Sequence, residues 1–334
     1  MNFKLSKLLL ITLLLGSFVF GAGKITGGSM HEIPNWFKAS FLDMAEDTEE
    51  AAEENRHVML FLDLDGCPYC TRMLKESFIN DGPTKSYIQN NFDVININVK
   101  GSREIAWSED ETYTEKELAQ KLNVPYSPTV IILDSEQNIV VRLNGYRNPA
   151  KFKQILEYAH NKHYNNMKLT EYLEKVKTKT VYTLQDNPMF KDINDLSPIK
   201  TPLAIIFEDG GCFNCEDFHN TILKNKEVKN AFSKFTVVRL NATSDKTIVT
   251  PEGHSVSVKD WIKEINLDYR PGMLLYNEGK LISTKDALLY SFHFKELLLY
   301  VANSEYKTYP TYLDYLRVKQ DELLKQGVDI NLAK

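Results

Sequence analysis

Two short stretches of the same build constrain everything else in this sequence. They read Phe61-Leu62-Asp63-Leu64-Asp65-Gly66-Cys67-Pro68-Tyr69-Cys70 and Ile206-Phe207-Glu208-Asp209-Gly210-Gly211-Cys212-Phe213-Asn214-Cys215. Each is an apolar, strand-like run that breaks at glycine and leads into a Cys-x-x-Cys pair, and the two pairs use all four cysteines of the chain. At i, i+3 across a helix start, two sulfurs are close enough to bond and the first is expected to be exposed. The partial positive charge of the helix N-terminus favours a thiolate there. The pattern predicts two thiol–disulfide sites, with Cys67 and Cys212 attacking and Cys70 and Cys215 resolving the mixed disulfide.

The surroundings of the two stretches also repeat. After the first come a helix, a strand over Phe92–Val99, a polar excursion over Lys100–Tyr113 and a helix capped by Thr114 and Glu117. A strand opening at Val124-Pro125-Tyr126-Ser127-Pro128, a hairpin partner over Asn138–Leu143 and a closing helix over Ala150–Tyr164 complete the unit. The second half repeats this order, with a polar loop over Asn241–His254, a cap at Ser257 and Asp260, and a strand opening at Arg270-Pro271. Cys67 to Pro128 spans 61 positions and Cys212 to Pro271 spans 59. Agreement in order, spacing and insertion is the mark of a tandem duplication. Ahead of the first unit, Trp36, Phe41, Leu42 and Ala45 fall at helical spacing.

The N-terminus stands apart. Lys4 and Lys7 precede an uncharged apolar run, Leu8–Phe20, and then Gly21-Ala22-Gly23, the layout of a cleaved secretory signal. The layout expected is a signal over 1–23, a first domain over 24–164 and a helix with an extended connector over 165–201. A second domain over 202–308 and a C-terminal helix over 309–334 follow. Loss of 1–23 would take the formal charge from −5 to about −7, so phosphate neutralisation, and with it nucleic-acid binding, is disfavoured. Export would put the cysteines where structural disulfides form, but neither tight pair could staple distant segments. Zinc sites of two Cys-x-x-Cys pairs place roughly 15–20 residues between them, whereas a whole domain lies between Cys70 and Cys212. Redox chemistry needing no metal and no cofactor fits best, and no oligomeric state is specified.

A Cys-x-x-Cys helix start followed some sixty residues later by an X-Pro strand resembles the thioredoxin fold. The resemblance implies an α/β chain of two tandem thioredoxin-like domains, each with a central mixed sheet, a cis proline and a proline loop packed on the cysteines. Pro128 and Pro271 would be those prolines, and Ser127 and Arg270 before them would face the incoming substrate. A thioredoxin has a buried acid six positions before the first cysteine; those positions are Phe61 and Ile206 here. Both copies instead have an acid four positions before, Asp63 and Glu208, on the same strand face. These two are the candidate proton acceptors, while Asp65, Asp209 and His219 read as surface residues. Pro68-Tyr69 is the dipeptide of glutaredoxins, but no Gly-Gly segment follows Pro128.

The first copy is also similar to the SoxW-type thioredoxin-related proteins of the bacterial periplasm. The similarity lies in Trp36-Phe37-Lys38-Ala39-Ser40-Phe41-Leu42-Asp43, Gly66-Cys67-Pro68-Tyr69-Cys70 and Gly101-Ser102-Arg103-Glu104. It implies a periplasmic thiol–disulfide oxidoreductase acting on thiols and disulfides of exported proteins, such as sulfur-oxidation carriers or apocytochromes c. A membrane electron donor of the CcdA or DsbD kind would keep it reduced. The second copy departs from the pattern at Arg270 and at Phe213-Asn214. Two other readings follow: a disulfide oxidase or isomerase, and a redox-active first domain with the second as a partner-binding module.

Overall fold

His57–Asp63 is a strand whose alternate residues meet two different apolar layers. Met59 and Phe61 join one core with Met73, Phe78 and Phe152, while Val58, Leu60 and Leu62 join another with Ile95, Ile97 and Leu118. A strand buried on both faces belongs in the middle of a sheet. Phe92–Asn98 pairs with it in parallel, Thr129–Leu133 lies antiparallel on its other side, and Ile139–Asn144 forms the far edge. Leu203–Glu208 does the same in the second half, between Thr236–Asn241 and Gly272–Asn277, with Lys280–Lys285 at the edge. Ala204 and Ile206 face one core and Leu203, Ile205 and Phe207 the other. Each fully buried side chain of this size contributes about 1.5–3 kcal/mol. The fold is two tandem thioredoxin-like domains, each a mixed four-stranded sheet between helices.

The computed structural model describes residues 22–28, 30–124, 126–176 and 180–334. Most of the expected signal (1–21), Pro125 and the connector residues 177–179 lie outside the described residues. Among the described residues no helix is long and apolar enough to cross a membrane.

The helix expected around Trp36 starts only at Met44 and runs to Glu53. Asp43 caps it, accepting from the backbone N–H groups of Ala45 and Glu46. Phe41 is 97% exposed, and Trp36 and Phe37 instead pack on Phe78 as irregular chain. The two polar excursions contain small hairpins, Glu104–Ser108 with Glu111–Thr114 and Thr247–Val249 with Ser255–Ser257.

Three segments outside the sheets position the sites. Ile25–Thr26 pairs in parallel with Ile330–Asn331, and from there the chain crosses to the first domain. Gly28 lies so close to the Gly66 carbonyl that a Cβ would come within 2.7 Å of its oxygen. The connector lies over the second domain, where Val181 and Tyr182 both donate to the Gly210 carbonyl. The stretch from Asp286 to His293 leaves the second sheet and packs on the first domain. Tyr69 and Tyr290 stack at 4.8 Å, and the Gly145 backbone, at φ +76°, passes so close to Ala287 that only glycine fits.

Candidate active sites

Cys67 caps the helix Pro68–Met73 and its sulfur accepts the Cys70 N–H at 3.1 Å. Pro68 sits in the first turn, where no backbone donor is needed. The helix continues as a wider π turn, Leu74–Ile79. Cys67 and Cys70 are disulfide-bonded, with Cα atoms 5.3 Å apart. The Ser127–Pro128 peptide is cis, and the Ser127 carbonyl oxygen lies 3.5 Å from the Cys67 sulfur. The proline loop and the cysteine pair therefore meet, as the resemblance to the thioredoxin fold implies.

The first sulfur is less open than a helix-start cysteine suggests. Cys67 is 7% exposed, in a core that Tyr269 and Leu288 of the second domain also join. Tyr69 is buried under Tyr290; its hydroxyl hydrogen-bonds with His293 Nδ1 at 2.8 Å and accepts the Tyr290 N–H at 3.0 Å. Burial pushes His293 down to about 4, so the imidazole in that bond is neutral. Tyr126 and Asn144 both bond Asp286.

Asp63 is buried at the strand end and accepts from His31 Nε2 at 2.6 Å. His31 comes from the N-terminal segment of the domain, ahead of the helix Met44–Glu53, and nothing in its spacing marks it in the sequence. Asp65 is exposed.

The second site has the same frame under a different cover. Cys212 and Cys215 are disulfide-bonded, with Cα atoms 5.5 Å apart, at the start of a short helical turn, Cys215–Asp217, that continues as a π turn. Arg270–Pro271 is cis. The proline loop meets the cysteine stretch through side chains: Asn214 Nδ2 donates to the Tyr269 hydroxyl at 3.2 Å, and Arg270 Nε donates to Asp209 Oδ2 at 3.1 Å. Arg270, expected to face a substrate, is turned inward, and its Nη1 also donates to the Leu267 and Tyr269 carbonyls. Asp209 is correspondingly buried, where a surface position was expected. Cys212 is 2% exposed, because Tyr182 of the connector packs on both cysteines.

Glu208 is fully buried, its Oε1 accepting from His219 Nε2 at 2.7 Å and its Oε2 from the Tyr182 hydroxyl at 3.3 Å. His219, also expected at the surface, is buried on the helix four residues after Cys215. That spacing puts it on the face of Cys215, a signal the sequence does carry.

Lys285, buried in the edge strand, donates to the Pro271 carbonyl at 3.0 Å. Burial lowers it to about 7. A cleft of about 290 Å³ opens beside Cys212 between the domains, lined by Arg147, Lys151, Lys259 and Lys263 among others. Among the described residues no three His, Cys, Asp or Glu side chains gather in metal-binding range.

Comparison with known proteins supports the fold of the first half. Residues 44–160 match the family described as Thioredoxin-like domain. No curated protein sequence matches the chain. Among solved structures, a thioredoxin-fold protein from Helicobacter pylori is 26% identical, covering 36% of this chain and 79% of its own, at a TM-score of 0.33. A thioredoxin from Thermus thermophilus is 22% identical over 41% of this chain and 87% of its own, at a TM-score of 0.28. The reduced C-terminal domain of DsbD from Neisseria meningitidis is 20% identical over 34% and 90%, at a TM-score of 0.25. At such scores these likenesses carry no functional inference.

Proposed function

We propose that this thiol–disulfide oxidoreductase is a disulfide reductase of exported proteins, similar to the SoxW-type periplasmic proteins and re-reduced by a membrane donor of the CcdA or DsbD kind. Residues 1–23 serve as its signal, 24–164 and 202–308 as its two redox domains, and 165–201 and 309–334 as connector and C-terminal helix. The observation that carries the reading is the Cys67 sulfur held at a helix start, 3.5 Å from the Ser127 carbonyl. A substrate sulfur approaching along that loop would meet Cys67 first.

In this mechanism the Cys67 thiolate attacks a substrate disulfide, one substrate sulfur leaves as a thiolate, and a Cys67–substrate disulfide remains. Cys70 loses its proton and attacks Cys67, closing the Cys67–Cys70 bond and releasing the second substrate thiol. Asp63 accepts the Cys70 proton. In the second domain Cys212, Cys215 and Glu208 have the matching roles, and Pro271 and Pro128 shape the loops that receive substrate.

Equilibrating each site against glutathione, with the other pair changed to serine, tests the direction of flow. Potentials near −270 mV support a reductase, and potentials of −120 to −180 mV support an oxidase or isomerase instead. A second reading has its own observation. Tyr182 and the Arg270–Asp209 ion pair close the second site, which favours that domain as a holder of partner proteins. Retained turnover in Cys212→Ser, with partner binding lost on removal of the second domain, would select it.

A further inference from the structure

Each candidate proton acceptor is paired with a histidine, and the two histidines come from unrelated places. His31 reaches Asp63 from the N-terminal segment before the helix Met44–Glu53, at 2.6 Å. His219 reaches Glu208 from the active-site helix of the second, at 2.7 Å. Duplication alone does not produce this. The residue four after Cys70, matching His219, is Leu74, buried in the core. The same carboxylate–imidazole pair is rebuilt in each domain from different parts of the chain.

The pairs are dry. Side-chain exposure is 4% and 5% for His31 and Asp63, and 4% and 0% for His219 and Glu208. A carboxylate this buried and without a partner favours its neutral form, which cannot take a proton. An imidazole N–H on one oxygen stabilises the charged form and leaves the other oxygen to act. Asp63 Oδ1 has no hydrogen-bond partner among the described residues. Glu208 Oε2 takes the hydroxyl of Tyr182, the ring that packs on Cys212 and Cys215.

A hydroxyl also ties the first pair to its cysteines. Thr71, the residue after Cys70, places Oγ1 3.4 Å from His31 Nδ1 and 3.2 Å from the Cys67 carbonyl oxygen. The charged neighbours differ. Beyond His31, the nearby acid Asp65 is exposed and meets Asn98 at 3.5 Å. Glu208 has Arg239 at 3.9 Å from the adjacent strand, itself held by Asp186 of the connector at 3.0 Å.

We propose that His31 and His219 are positioning residues for the exchange reaction, each holding one oxygen of its carboxylate so that the other is aimed to take the proton of the resolving cysteine. In the first site the Cys70 S–H gives its proton to Asp63 Oδ1 while His31 Nε2–H holds Oδ2. The Cys70 thiolate then bonds to Cys67, the Cys67–substrate bond breaks, and its electron pair leaves on the substrate sulfur, which recovers a proton from Asp63 or water. This rests on the assignment of Asp63 and Glu208 as acceptors made under the proposed function. It adds that the first site is incomplete without the N-terminal segment that precedes the helix Met44–Glu53.

The test is stopped-flow reaction of the reduced full-length chain, its second pair changed to serine, with dithiobis-nitrobenzoate. The first coloured thiolate reports attack by Cys67 and the second reports resolution by Cys70. In His31→Leu the acid limb of the pH profile of the second phase should move about one unit alkaline, slowing the phase about tenfold on that limb, as expected for losing one hydrogen bond to a charged group. The first phase should change little. His31→Gln, which keeps a donor, should recover most of the rate even if the leucine variant folds poorly. His219→Leu, in a chain with the first pair changed to serine, should shift its own second phase less, because Arg239 remains beside Glu208. A normal second phase whose pH profile is the same in wild type, His31→Leu and His31→Gln overturns the inference alone. Absence of the second phase in the wild-type site overturns the resolving role of Cys70, and the inference with it.

Discussion

The two redox sites share a frame and differ in what the rest of the chain lays over them. In the first, the cysteine sulfur meets the proline loop directly, and Tyr269, Leu288 and Tyr290 of the second domain pack into the same core. In the second, the loop is locked to the cysteine stretch by Arg270–Asp209 and Tyr269–Asn214, and the cover is the chain's own connector through Tyr182. A duplicated domain keeps its sheet because the same apolar alternation builds it twice. Its surface chemistry diverges because each copy has different neighbours to satisfy.

This asymmetry can be broken most directly at the attacking cysteines. Cys67→Ser should lower turnover of a peptide disulfide by at least about a thousandfold, as removal of a nucleophile does. Cys212→Ser should leave a measurable part of it, and equal losses would mean that the sites work in series.

Next in size is the ion pair peculiar to the second site. Its position in the first copy is Leu64, so only the second domain should suffer when it is broken. Asp209→Ala, which strips Arg270 of its carboxylate, should cost that domain about 3 kcal/mol. Urea unfolding followed at Trp261, against Trp36 and Trp107 of the first domain, would measure it.

The pH dependence of stability separates the domains as well. Lys285 pairs with Met273 where the first copy pairs Leu143 with Val130. Its folded pKa of about 7 lies below the ordinary 10.5 of the unfolded chain. Between those values the unfolded chain binds more protons, so stability of the second domain should rise with pH from 7 toward 10. The rise should be roughly 2–3 kcal/mol. Lys285→Leu should flatten it, and denaturant midpoints across that range would show whether it does.

The smallest expected effect concerns the cover itself. Tyr182→Phe removes the hydrogen bond to Glu208 and the one accepted from the Gln185 N–H, together worth about 1.5 kcal/mol or more, so the opened connector should be at least about tenfold more populated. Alkylation of reduced Cys212 should quicken by that factor, with Cys67 unchanged.

Much of the frame was legible because it depends on local pattern. The apolar runs of Val58–Leu62 and Leu203–Phe207, the caps at Thr114 and Ser257 and the matched spacing to Pro128 and Pro271 all act within one element or one repeat. The irregular stretch around Trp36 misled because aromatic residues at helical spacing serve equally well on a non-helical strap. His219 was within reach, four residues from Cys215 on one helical face, yet a polar residue on a charged helix ordinarily faces water. His31, Tyr182 and Lys285 carry no such mark.

The sequence by itself determined that there are two sheets, two cysteine pairs at helix starts and a proline loop for each, since strand alternation, capping and turn chemistry are short-range. Only the tertiary structure decided that Asp63 and Glu208 each lie against an imidazole, that Arg270 turns inward, and that residues of one domain enter the other's core. Burial and charge pairing are set by whichever distant segment arrives, and no local pattern encodes which one that is.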